Sequence, residues 1–358
     1  MANPLTLSPA RTNAPLHAPS DVRLLLAGFE LTVADLLTTS NPKLTKTTGA
    51  RSVIHHALPH RSLALALATS TVGSIAPRGH LPGLLALAKR HGMVDRAMRH
   101  NGCRFATPGC VAACLNHAGH GGLTVAVPLA RGRRTLAMVA DPVTYARAMV
   151  WAIAREYANA ARDGLPLAFR LCGTDETPWH RMGVSLSHAE TRVLHHRFGV
   201  DALCGNNASV ADAFAPMVAD GRMVPYEYLK APVDHADGPD AWLRAGWSDI
   251  TASFAADRLS ACADAVRAID AGFRLAVPVA WPKAAPLPTI GVITLINGTT
   301  RTVRCVDGDR SDARWMDPSP CMVLLREKRA RGADARSRRF ILAHRHRHTL
   351  ADGRLDLG

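Results

Sequence analysis

The chain has 358 residues, with 43 Lys and Arg against 29 Asp and Glu and a formal net charge of +14. Hydrophobic residues make up 47%, charged residues 20% and aromatic residues 5%, which supports a buried core and excludes a chain disordered throughout. No stretch reaches the roughly 18 consecutive apolar residues that would span a bilayer, and Met1 to Ser20 lacks a cationic start followed by an apolar run, so no membrane partner and a cytoplasmic place in the host cell are expected.

Residues 1–40 carry Pro4, Pro9, Pro15 and Pro19 among small polar residues, with an apolar run from Leu24 to Leu31; they read as a flexible N-terminal extension ending in a short amphipathic element. Arg61 to Ala68 alternates as a strand would, and Leu81 to His100 carries helical spacing up to Asn101-Gly102. Asp141-Pro142 opens a long helix from Val143 to Arg162, closed by Gly164. Leu167 to Leu171 then reads as strand, Ser187 to Phe198 and Ser209 to Val218 as helices, and Met223 to Tyr228 as strand. Asp249 to Phe254 follows as strand, Ser260 to Ala271 as helix and Phe273 to Val279 as strand. This alternation predicts parallel pairing through crossover helices: an α/β fold with a partial or complete (β/α) barrel-like core. Short strand-like pieces from Thr289 to Leu325 predict a small hairpin-rich C-terminal cap. The expected organisation is the extension over 1–40, a single α/β core over 41–330 and a basic tail over 331–358. Between Arg326 and Arg347, nine Arg or Lys stand against two acids, half of the net charge.

Eight cysteines are too few for a disulfide scaffold in a chain of this length, but three fall within twelve residues. In the segment 101–122, Thr107-Pro108 reads as a helix start and Gly119 as its stop, which places Cys110, Cys114 and His117 on one face, with Cys103 in the loop before. Three thiolates with one open position suit an iron–sulfur cluster; three thiolates with His117 suit a closed zinc site. The spacing does not choose between them, and plain core packing is the competing reading. Cys172, Cys204, Cys262, Cys305 and Cys321 are scattered in apolar surroundings and read as core.

Asp175 and Glu176 follow a strand end, where α/β folds place ligand loops, and could meet a substrate amine or ribose or simply shape a turn. Alternation sends Tyr226, Tyr228 and Lys230 to one side of their strand and Glu227 to the other; Lys230 is a candidate for a phosphate, or a solvated strand end. Asp307-Gly-Asp309-Arg-Ser-Asp312 lacks the glycine and glutamate of a calcium loop, so its carboxylates are expected to make local ion pairs with Arg310 and Arg314. The histidine pairs His55-His56 and His195-His196 and the run His344 to His348 read as surface.

The order of several motifs resembles the phage gene-product-88-like family of bacteriophage and prophage proteins, whose biochemical role is unknown. They are Asn41-Pro-Lys-Leu-Thr45, Cys114-Leu-Asn-His-Ala-Gly-His-Gly121, Arg131-Gly-Arg-Arg-Thr135, Phe169-Arg-Leu-Cys-Gly-Thr-Asp-Glu176, Pro225-Tyr-Glu-Tyr-Leu-Lys230, Ile250-Thr-Ala-Ser-Phe254 and the acidic turns from Val306 to Asp317. The resemblance runs over about residues 41–330.

Two function classes follow. One is a metal-binding enzyme resembling the radical S-adenosylmethionine enzymes in layout, with Cys103, Cys110 and Cys114 as ligands, S-adenosylmethionine as a further cofactor, and Asp175, Glu176 and Lys230 as cofactor-binding residues. The usual spacing of two residues between the second and third cysteine is three here. The other is a nucleic-acid-binding protein of phage replication or genome handling, in which the metal holds a loop and DNA or RNA meets Arg131, Arg133, Arg134 and the arginine-rich tail.

Overall fold

The computed structural model describes residues 18–39, 49–59, 62–68, 81–114, 126–327, 341–343 and 354–357. In chain order the strands are β1 (Leu37–Thr38), β2 (Arg51–His55), β3 (Leu167–Arg170), β4 (Val184–Leu186), β5 (Gly205–Asn207), β6 (Met223–Leu229) and β7 (Asp249–Ser253). They continue with β8 (Arg274–Ala280), β9 (Ile290–Thr294), β10 (Thr300–Asp307), β11 (Met322–Arg326), β12 (Leu342–Ala343) and β13 (Leu355–Asp356). The helices are α1 (Ser20–Gly28), α2 (Ser62–Ala68), α3 (Leu81–Arg90), α4 (Val94–Arg99), α5 (Pro108–Ala112) and α6 (Ala126–Ala140). Then come α7 (Pro142–Arg162), α8 (His188–Phe198), α9 (Ala215–Ala219), α10 (Pro239–Arg244) and α11 (Ala261–Asp270). None of the described helices is long and apolar enough to cross a membrane.

The fold is α/β, built on one large, mostly parallel sheet in the order β1-β2-β3-β6-β7-β8-β11-β10-β9-β13, with β12 paired to β8. Six neighbours, β2, β3, β6, β7, β8 and β11, are parallel and follow one another in chain order. The cap expected after Thr289 is continuous with this sheet: β9 and β10 form an antiparallel hairpin, and β11 joins β8 in parallel. β4 and β5 form a separate antiparallel pair.

The longest helix shows why the sequence folds this way. Asp141 Oδ1 accepts the Thr144 N–H at 3.0 Å and Pro142 occupies the first turn. Tyr145, Met149, Ala152, Ile153 and Glu156 then fall at helical spacing on the buried side. The N-terminal extension is part of this packing from residue 18 on, because Val22 and Leu26 of α1 and Phe29, Leu31 and Leu36 after it are buried in the same core. Residues 1–17 lie outside the described ones.

Four elements differ from expectation. Ser62 to Ala68 is helix, not strand: a Leu-Ala alternation also places Leu63 and Leu67 four apart, and both are buried. The helix expected over Leu81 to His100 breaks into α3 and α4 at Gly92, which turns with φ 62°. The helix expected from Ser209 is a 3-10 turn (Asp212–Phe214) followed by the short α9, because the Ser209 hydroxyl takes the N–H groups of Ala211 and Asp212. His55, expected at the surface, is fully buried: Nδ1 meets the Leu171 carbonyl and Nε2 the Tyr145 hydroxyl, both at 3.0 Å, and burial lowers its pKa to about 3.

The sheet has two unlike faces. Val53, Leu167, Phe169, Met223, Ile250, Leu275 and Val277 form an apolar face covered by helices. Register puts Ser52, Arg170, Tyr226, Tyr228, Asp249, Thr251 and Arg274 on the other. At its amino end this polar face is closed by Arg314, Asp317, Arg274 and Asp249. Arg314 Nη1 lies 3.1 Å from Asp317, and Arg274 pairs with Asp249 while donating to the Asp317 carbonyl. Arg326, which was not expected there, pairs with the 307–309 turn, at 3.0 Å from Asp307 and 3.7 Å from Asp309.

Glu227 points to the helix side, as alternation requires, and is fully buried. Its Oε1 accepts the N–H groups of Leu171 (2.5 Å) and Cys172 (2.8 Å), bonding β6 to the end of β3, while Arg170 Nε stands 3.6 Å from Oε2. Burial raises its pKa to about 7. Replacement by Ala leaves two buried N–H groups without an acceptor and should cost about 2–4 kcal/mol in denaturant unfolding. A carboxyl raised in the folded state stabilises the fold at low pH and loses that contribution as pH rises through about 7. The stability of the wild type relative to Glu227→Gln should therefore fall between about pH 4.5 and pH 7.5, by at most about 1.4 kcal/mol per pH unit.

Candidate active site

The carboxyl ends of the parallel strands gather most of the residues singled out from the sequence. β3 runs into Cys172 and the turn Thr174, Asp175, Glu176; β6 runs into Lys230; β7 runs into Asp257 and Arg258. The cysteine segment lies across these ends and is fixed by hydrogen bonds rather than by regular structure. The Glu176 N–H donates to the Gly102 carbonyl at 2.6 Å. Arg258 donates to the Lys230 carbonyl at 3.0 Å and to the Phe105 carbonyl at 2.9 Å, joining the end of β6 to the segment. Asp257 accepts from the Thr107 hydroxyl at 2.6 Å and the Gly109 N–H at 2.8 Å, and Thr107 in turn caps α5 by accepting from the Cys110 N–H at 3.2 Å.

The helix of this segment starts where expected but stops at Ala112, so Cys114 stands beyond it instead of on its face. His117 lies outside the described residues. Cys103 is buried, with Sγ 4.0 Å from the Thr174 carbonyl. Cys110 and Cys114 are half-buried. Among the described residues, no three His, Cys, Asp or Glu side chains are grouped so as to hold a metal ion.

Lys230 stands among these groups. Its Nζ lies 3.6 Å from Glu176 Oε2, and its own N–H donates to Glu176 Oε1. Burial opposes the ammonium charge, but Glu176, then Cys110, Cys103 and Cys114, outweigh it and hold the pKa above the ordinary range. Lys230 therefore has all three thiols in its electrostatic surroundings, and it is paired with a carboxylate rather than solvated. Burial pushes the Cys110 thiol up to about 11 against the pull of Lys230. Asp175 Oδ2 accepts from the Thr177 N–H at 3.2 Å and hydroxyl at 2.6 Å, the geometry of an Asx turn. Burial nevertheless raises Asp175 to about 6. Asp175 thus forms the turn expected of it, at the mouth of the strands.

Arg131, Arg133 and Arg134 do not form a phosphate-facing surface. They lie on α6, which the sequence reading missed, and Arg131 and Arg134 are buried. Arg134 Nε donates to the His56 carbonyl at 2.9 Å and Nη1 to the Asp35 carbonyl at 2.6 Å, and Arg133 pairs with Glu30. Burial and Arg134 lower Arg131 to about 10, with Cys114 and Asp175 close enough to oppose the shift. The Arg134 guanidinium satisfies two backbone carbonyls, and Arg131 lies within electrostatic reach of Cys114 and Asp175. Of the arginine-rich tail, only 341–343 and 354–357 are described, as β12 and β13 with their flanks. Sequence reasoning also missed Asp257 and Arg258, which act on backbone atoms and carry no motif.

In parallel-sheet α/β folds the carboxyl edge of the strands is where ligand sites form, and here that edge carries thiols, an ammonium and carboxylates. Residues 36–194 match the family model described as Gene product 88, and this stretch is a phage gene-product-88-like domain. The motifs after residue 194, Lys230 and Asp257 included, lie outside the match. No curated protein and no solved structure matches the chain.

Two outcomes follow. Arg134→Met should lower stability by about 2–3 kcal/mol in chemical denaturation, as two charge-assisted bonds are lost, and leave any nucleic-acid affinity measured by gel shift unchanged. With its thiol near 11, Cys110 should be alkylated by iodoacetamide at pH 8 roughly a hundredfold more slowly than in the denatured chain, read by peptide mass spectrometry. Lys230→Met should slow it further.

Proposed function

We propose that this mouth is the centre of a phage- or prophage-derived enzyme in which Cys103, Cys110 and Cys114 bind an iron–sulfur cluster. The observation that carries the reading is that the three thiols share one ammonium, Lys230, at the carboxyl edge of six parallel strands wound in chain order. That winding is the one successive strands of a (β/α) barrel adopt, and the polar face led by Tyr226, Tyr228 and Lys230 is suited to its interior; we read the core as a partial barrel. No pairing among the described residues joins β2 back to the far edge.

The donor set fits the group in chemistry. Cys103 and Cys114 sit in loop on either side of α5, and since the three side chains are not grouped as ligands here, binding would have to draw them together. Neutral thiols do not repel one another, and binding would exchange their protons for the metal. Three thiolates leave one iron position open, and such a cluster supplies single electrons to a cofactor bound there. For S-adenosylmethionine at that position, Asp175 and Glu176 are the carboxylates at hand for its amino group and Lys230 the cation for its carboxylate. Arg131, buried and within electrostatic reach of Cys114, adds positive field that favours thiolate over thiol.

Anaerobic reconstitution of the full chain with iron and sulfide tests this. Wild-type protein should gain visible absorbance and near-stoichiometric iron and sulfide, and Cys114→Ser should lose most of both while keeping its far-ultraviolet circular dichroism. Retention of colourless zinc instead would replace the redox reading with a structural one. Failure of the folded wild type to retain any metal overturns the proposal.

A further inference from the structure

On the helical side of the molecule, α1 and the turn that follows it enclose a cavity of about 370 Å³ against α7 and the end of α8. Leu26, Leu31, Trp151 and Phe198 give it apolar walls, with the Trp151 and Phe198 rings edge to face at 6.1 Å. Arg23 and Arg155 also line it, and no Asp or Glu does. Arg23 is exposed and makes no side-chain hydrogen bond or ion pair among the described residues. The side chain of Arg155, 40% exposed, has only Glu156, at 4.0 Å. The Trp151 indole N–H is buried and lacks a hydrogen-bond partner among the described residues. The cavity has the size and lining of a small-molecule site, apolar with a few polar groups, and the charged groups among the described lining residues are the two arginines.

We infer that this cavity binds a single-chain amphiphile with an anionic head, its tail against the apolar walls and its carboxylate on Arg23 and Arg155. A neutral lipid would leave the guanidinium groups unused, and a cationic one would be repelled by them. The site shares no residue with the thiol cluster, so it stands or falls apart from the metal reading.

Titration of the full chain with decanoate below its aggregation concentration, followed by tryptophan fluorescence and calorimetry, tests the inference. Decanoate should bind with one-to-one stoichiometry and about tenfold or more tightly than decanol, a difference that Arg23→Gln combined with Arg155→Gln should erase. Ala27→Trp, which sets an indole across the cavity, should abolish binding of both ligands. Iron retention at the thiols should be unchanged throughout. Because the two arginines are solvent-accessible, their replacement leaves the core packed and keeps the test valid if Ala27→Trp fails to fold. The inference is overturned if wild type does not bind decanoate, if the arginine variants bind it as wild type does, or if binding occurs only to phosphatidylglycerol vesicles.

Discussion

The arrangement of the mouth depends on one constraint: a cysteine segment whose described residues, 101–114, hold one five-residue helix must have its backbone polar groups satisfied by the loops it rests on. Buried N–H and C=O groups without partners are costly, and here they are matched from the residues that follow two strands, β3 and β7, which flank β6. Glu176 after β3 holds Gly102, Arg258 after β7 holds Phe105 together with the end of β6, and Asp257 holds Thr107 and Gly109. The Glu176 and Lys230 pair links two of those strand ends directly. The thiols are therefore placed by the sheet and not by the segment's own propensity, and anything that shifts β3 against β6 shifts them.

The division of the sheet into an apolar and a polar face explains where chemistry can occur. On the helix side the core leaves little room for charge, and Glu227 survives there because two N–H groups and Arg170 meet it. On the opposite face the amino end is sealed by paired arginines and aspartates around Arg314. Tyr226 packs against Trp315 with the ring centres 4.8 Å apart and the planes tilted by 58°, and Arg170 lies 4.4 Å from the centre of the Tyr228 ring. Polar groups thus continue along the face toward Lys230, at the end where the strands emerge.

Much of this was legible in the sequence. The strands from Leu167, Met223, Asp249 and Phe273 onward are short apolar runs bounded by turns, and the helix after Asp141-Pro142 announces its own cap. Asp175, Glu176 and Lys230 were readable as strand-end polar residues, and the three cysteines by their density. The Leu-Ala run from Ser62 was misread because its pattern satisfies two periods at once. The helix α6 was missed because Gly132 and three arginines look like a loop. In the fold that glycine is where Leu84 of α3 packs: a Cβ there would lie 2.5 Å from Leu84 Cδ1. The burial of Arg131 and Arg134 was not foreseeable from charge alone; the partners of Arg134, for instance, are backbone carbonyls of Asp35 and His56, which leave no trace in residue identity.

The boundary of the matched stretch at residue 194 has an evolutionary consequence. The matched stretch supplies the sulfurs and two carboxylates, Asp175 and Glu176, whereas Lys230 and Asp257 come from later in the chain. Inheritance of the first portion without the second would yield a polypeptide bearing every cysteine of the cluster yet unable to hold them in place. Among descendants of a common ancestor, the two portions should thus be retained or discarded together.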